Sequence, residues 1–166
     1  MTRPGRPLKS QLKYWLPAIA WAILISLAST DTFSSVHTSG LIIPILHWFF
    51  PAAGAETLER LHFLIRKCAH FTEYFIFSVL LFRALRGQNR GWQLRWAIWA
   101  LLIAAGYSAL DEFHQTFVPS RTASPWDSLL DTTGAAVSQI AVWIWLRLFT
   151  HRIENSSDLE QKIENQ

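Results

Sequence analysis

Asp111-Glu112-Phe113-His114-Gln115-Thr116-Phe117-Val118-Pro119-Ser120-Arg121-Thr122-Ala123-Ser124-Pro125-Trp126-Asp127 packs three acids, a histidine, a glutamine and an arginine between two long apolar runs. An unpaired charge at the centre of a bilayer-spanning helix costs about 2.5–3.5 kcal/mol. Such a cluster is therefore paired, wet or functional. Its flanks, Trp92 to Leu110 and Trp126 to Phe149, are each close to the roughly 20 residues that a bilayer crossing demands.

Working outward, two further apolar runs have the same length class: Tyr14 to Ser29 and Leu61 to Phe82. The composition agrees with a membrane setting, since 51% of the chain is hydrophobic, only 16% is charged, and nine Trp and eleven Phe exceed the need of a soluble core. The first run follows Arg3, Arg6, Lys9 and Lys13 like a secretory signal. Ser26-Leu27-Ala28-Ser29 is only a loose cleavage site and three more apolar runs follow, which predicts an uncleaved anchor. Between the first two spans, Leu41 to Pro51 is apolar but too short to cross and carries two prolines, which predicts a re-entrant or interfacial segment on the outer face. The fold expected is all-α, a polytopic membrane helix bundle of about four transmembrane helices. Residues 1–150 form the transmembrane domain and 151–166 a polar cytoplasmic tail, either a solvated helix end or disordered.

The basic residues set the orientation, because cytoplasmic loops near span ends retain Lys and Arg. Eleven of the fifteen fall at the N-terminus, between spans two and three, and after span four. Arg60, Arg66, Lys67 and Arg121 lie toward the other side. Both termini are expected in the cytoplasm. A net charge of +3 distributed in this way follows topology, so nucleic acid is not an expected partner. The single Cys68 excludes an internal disulfide.

On the second span, a turn of 100° per residue gathers Arg66, Lys67, His70, Glu73, Tyr74 and Ser78 into an arc of about 140°, with Cys68 and Thr72 opposite. On the third, Tyr107, Asp111, His114 and Gln115 share a face, while Glu112 turns toward the outer surface. The fourth opens with Ser124 as N-cap, Pro125 in the first helical position and Asp127 in the acidic place of a capping box. Asp127, Asp131, Gly134 and Ser138 then form one face, whose small residues admit close approach of another helix. His47 and His62 lie off these stripes and read as interfacial. The topology brings all three stripes to one depth, a pocket in the outer leaflet. The competing structural reading makes them ion pairs that hold helices together, Lys67 with Glu73 and Arg121 with Asp111 or Asp127.

Two motifs, Lys67-Cys68-Ala69-His70-Phe71-Thr72-Glu73-Tyr74-Phe75 and Tyr107 through Ser124, followed by Asp127 and Gly134, resemble the VanZ-like family of bacterial integral membrane proteins. The family's Pro-Gly-Arg reads Pro119-Ser120-Arg121 here, and Asp131-Thr132-Thr133 stands where an Asn often precedes the glycine. The resemblance implies a four- or five-helix protein of the cell envelope, in a bacterial inner (cytoplasmic) membrane, whose namesake is associated with resistance to the glycopeptide teicoplanin.

Two functions fit these residues best; a third, proton-coupled transport, would use the same acids and histidines, but four helices offer little room for a pathway without oligomerisation. In the first, Lys67, His70, Glu73, Tyr74, Asp111, Glu112, Gln115, Arg121, Asp127 and Asp131 bind an amphiphilic, lipid-linked or glycopeptide-type ligand, the basic groups meeting its anions. In the second, an intramembrane hydrolase or transferase acts on a lipid-linked envelope substrate, with His70 or His114 as general acid/base oriented by Glu73 or Asp111. No His-Glu-x-x-His or comparable ligand motif is present, and neither a metal nor a cofactor is expected. Membrane lipids are the remaining expected partner.

Overall fold

The computed structural model of the protein describes residues 8–30, 35–118 and 123–164, with side chains over 11–30, 37–118 and 123–148. Five helices follow in order: α1 (Leu8–Ala28), α2 (Ser35–Phe49), α3 (Ala55–Arg86), α4 (Leu94–Gln115) and α5 (Pro125–Glu164). Among the described residues there is no strand. The all-α bundle expected from the four apolar runs is what the chain builds.

Three helical stretches are long and apolar enough to cross a membrane, Gln11–Ala28, Ala55–Arg86 and Pro125–Leu148. The fourth expected span corresponds to α4, which packs on both α3 and α5. Its 22 residues reach about 33 Å at 1.5 Å per residue, enough for the hydrocarbon core. Its last two turns carry Asp111 and Glu112, which lowers its hydropathy without shortening it.

The helix boundaries differ from the apolar runs in three places. α2 is one helix through the segment in which two prolines predict a break; Pro44 sits inside it, removing a single backbone hydrogen bond, and only Pro51 follows its end. α3 starts at Ala55, six residues before the apolar run, because no breaker separates Gly54 from Leu61. α5 continues through the polar tail to Glu164.

The core lies where α1, α3, α4 and α5 meet, and it is built from large residues of one helix against small residues of another. Tyr74, Phe77 and Leu81 of α3 pack with Ala97, Ala100 and Ala104 of α4, Ala135 of α5, and Ala18 and Ile25 of α1. Small side chains let the backbones approach, which is how helices gain packing where lipid removes any hydrophobic drive to associate. The outward faces remain apolar: Leu16, Ile23 and Leu27 on α1, Leu102 on α4, Ile140 and Leu148 on α5 are all exposed. In water that surface would be a liability; facing acyl chains it is what a membrane protein needs.

Candidate functional site

The polar stripes of α3 and α5 meet at one end of the bundle and enclose a cleft of about 720 Å³. From α3 come Glu59, His62, Arg66, Lys67 and His70; from α4, Gln115; from the start of α5, Ser124 and Asp127. Phe63, Trp126 and Leu130 supply an apolar wall. The volume is in the range of small-molecule sites, and the lining mixes two chemistries.

α5 begins at Pro125 as the sequence predicts, with the Asp127 N–H donating to the Ser124 carbonyl at 2.8 Å. Lys67 of α3, which the sequence offered as a partner for Glu73 on its own helix, instead engages the Asp127 carboxylate, sixty residues away. The Lys67 ammonium also lies 5.0 Å from the centre of the Phe63 ring. Both charged groups keep partial access to the cleft, with 27% and 20% of their side-chain surface exposed.

One turn deeper, His70 Nδ1 stands 3.5 Å from Asp131 Oδ1. Asp131 is almost wholly buried, and the Ser108 hydroxyl donates to its other oxygen at 2.9 Å while lying 3.1 Å from Ser128 Oγ. With Nδ1 turned to Asp131, Nε2 is the ring nitrogen not committed to it, and His70 belongs to the cleft wall. The carboxylate beside His70 is therefore that of Asp131. Glu73 is half-buried, and its backbone carbonyl accepts from Trp21 Nε1 of α1 at 2.9 Å.

Asp111 lies in a second cluster. Its Oδ2 accepts from Ser29, the residue after α1, at 2.7 Å and from Gln115 Nε2 at 2.9 Å. With Ser26, Tyr107, Leu110 and His114 it borders a separate cleft of about 220 Å³. Tyr107 donates to the Ala22 carbonyl at 2.8 Å and sits 2.5 Å from Ser26 Oγ. The sequence-derived set is thus divided: Lys67, His70 and Asp127 share the large cleft, Asp111 and His114 share the small one, and Gln115 lines the large cleft while bonding to Asp111. Between the two lies Tyr74, fully buried, its phenol flanked by Asp111, Asp131 and Ser108.

Glu112 departs from expectation. Rather than facing the outer surface it is buried, and its Oε2 accepts the Ser124 backbone N–H at 2.8 Å, pinning the start of α5 to the end of α4. His62, read as lying off the stripes, instead lines the large cleft and is buried, with Nε2 3.2 Å from Thr38 Oγ1 of α2. Arg121 and its neighbours 119, 120 and 122 lie outside the described residues. Cys68 is exposed on the opposite side, as the helical arc predicts. Among the described residues, no three His, Cys, Asp or Glu side chains gather closely enough to hold a metal.

Ser29 and Ser108 are the partners that the sequence reading misses. Ser108 had a signal: Ala97, Ala100, Ala104, Ser108, Asp111 and Gln115 recur at spacings of three and four, and all are buried. Ser29 had none, because its pairing depends on how α1 docks.

A bundle of this kind, with both motifs converging at one end, matches a family model described as VanZ/LLP1 over residues 14–149. The chain belongs to the VanZ/LLP1 family. No match was found among curated proteins or among solved structures. The VanZ/LLP1 match runs from α1 to the membrane part of α5, so both clefts fall inside it.

Proposed function

We propose that this VanZ/LLP1 membrane protein serves the bacterial cell envelope by holding the polar head of an amphiphilic ligand, lipid-linked or of the glycopeptide type, in the cleft between α3 and α5 at the outer leaflet. The observation that carries this reading is the wall composition: Arg66, Lys67 and His70 beside Phe63, Trp126 and Leu130. Cations next to aromatic and aliphatic surface suit a ligand with an anionic head and an apolar body. The partial exposure of the Lys67–Asp127 pair leaves the ammonium able to reach an incoming phosphate or carboxylate.

The test compares envelope lipids, and susceptibility to teicoplanin, in cells with and without the gene, complemented by wild type or by Lys67→Gln. The expected result is a lipid-linked species or a susceptibility that changes on deletion and is restored by the wild type alone. Full restoration by a Lys67→Gln, Arg66→Gln double variant at normal abundance would reject the cleft as the binding site.

A second reading, acid/base catalysis on a lipid-linked substrate, is favoured by one specific contact. Asp131 Oδ1 faces His70 Nδ1 at 3.5 Å, the side of the ring from which a carboxylate assists a histidine base. Under this reading His70 Nε2 takes a proton from an attacking water or hydroxyl. Purified protein then turns over the lipid-linked species, and His70→Gln abolishes turnover while binding persists. Binding without turnover selects the first reading.

A further inference from the structure

The end of the bundle away from the cleft has a charge distribution of its own. All twelve acids fall within residues 31–73, 111–131 and 154–164; the segments 1–30, 74–110 and 132–153 contain none. Those acid-free segments carry Lys13, Arg83, Arg86, Arg90, Arg95 and Arg147 among the described side chains. Two of these cations converge on one ring: Lys13 Nζ lies 5.1 Å and the Arg83 guanidinium 5.8 Å from the centre of Tyr14. Ring contact stabilises each cation but supplies no counter-charge. A cavity of about 230 Å³ opens beside that ring between α1 and α3, lined by Gln11, Tyr14 and Trp15 of α1, Ala84 and Leu85 of α3, and Gly87 and Gln88 just beyond its end.

Two buried donors elsewhere at this end, Arg86 Nε and Trp92 Nε1, also lack a hydrogen-bond partner among the described residues. From this geometry we infer a binding site for an anionic phospholipid, its phosphate held between Lys13 and Arg83 at the Tyr14 ring and its glycerol against Trp15 and Leu85. The phosphate chemistry alone would also suit free phosphate. The chain favours the lipid because exposed Leu12, Leu16, Ile19 and Ile23 follow one face of α1 from the same end, a track for acyl chains.

The experiment uses full-length protein in neutral detergent, titrated with phosphatidylglycerol, phosphatidylcholine or inorganic phosphate, and read by native mass spectrometry. Wild type should retain phosphatidylglycerol in preference to phosphatidylcholine. Lys13→Gln with Arg83→Gln should weaken that retention about thirtyfold, the Coulombic share of two cations at an anionic surface. Arg95→Gln with Arg147→Gln removes the same charge elsewhere at this end and should leave retention within about threefold of wild type. Equal loss in the two double variants would mean a diffuse basic surface and overturn the site. Displacement of the lipid by millimolar phosphate would overturn the lipid assignment. Both pairs are exposed surface cations, so folding is checked by unchanged melting temperature.

Discussion

Gly134 of α5 lies directly against the backbone of Phe71 of α3: a Cβ placed on Gly134 would come within 3.2 Å of the Phe71 carbonyl carbon and 3.3 Å of its Cα, and closer still to its carbonyl oxygen. The neighbour is backbone, so it cannot turn aside. This contact adjoins His70 and lies one turn beyond Asp131, and it sets the approach that brings those two side chains together. Gly134→Ala would raise helix propensity in an isolated helix by up to about 1 kcal/mol. Here it should instead destabilise by about 1–3 kcal/mol through overpacking. Thermal unfolding in detergent should show a lower melting temperature than Gly106→Ala, where an added Cβ meets nothing.

The Lys67–Asp127 pair separates a helix cap from an interhelical tie. Lys67→Met and Asp127→Asn should each lower stability, and the double variant should lose less than their sum, with a coupling of about 0.5–3 kcal/mol. Partial exposure keeps the effect below the loss expected when a fully buried pair is broken. Additive losses would show that Asp127 acts on its own helix alone.

How much of this could be read beforehand follows from which distances are local. Helical periodicity fixes which side chains share a face, so the stripe Lys67, His70, Tyr74 on α3 and the stripe Asp127, Asp131, Gly134 on α5 were legible. Which stripe meets which was not. Lys67 had Glu73 as a candidate partner within its own helix and takes Asp127 across the α3–α5 contact, because the backbone approach at Gly134 draws the two helices together. Asp111 sits on the expected face of α4, yet its partner is Ser29, and no periodicity in α4 reports how α1 docks. Glu112 was misread for a related reason: an i+1 neighbour of a buried acid leaves the shared face, but the returning chain at Ser124 buries it again.

The orientation rests on the basic residues, which cluster at the α3–α4 turn and at both ends of the chain. Reporter fusions after Gly87 and after Gln166 should read cytoplasmic, and a fusion after Ala53 should read exterior. An exterior signal after Gly87 would invert the molecule and place the large cleft on the cytoplasmic side.

Tyr74 offers the sharpest distinction between packing and function. Its side chain is fully buried, and its hydroxyl lies beside Ser108 without a hydrogen bond of good geometry among the described residues. Leaving a buried hydroxyl unsatisfied costs about 1–3 kcal/mol, whereas the ring keeps its edge contact with Phe77, 6.3 Å between centres. Tyr74→Phe retains the ring and removes the unsatisfied group, so the melting temperature should hold or rise. If the phenol serves a ligand or a proton passing between the Asp131 and Asp111 clusters, the same variant should fail to complement a deletion strain at normal abundance. A fall in melting temperature would show instead that the hydroxyl is bonded and structural. Stability retained with full complementation would remove Tyr74 from the site.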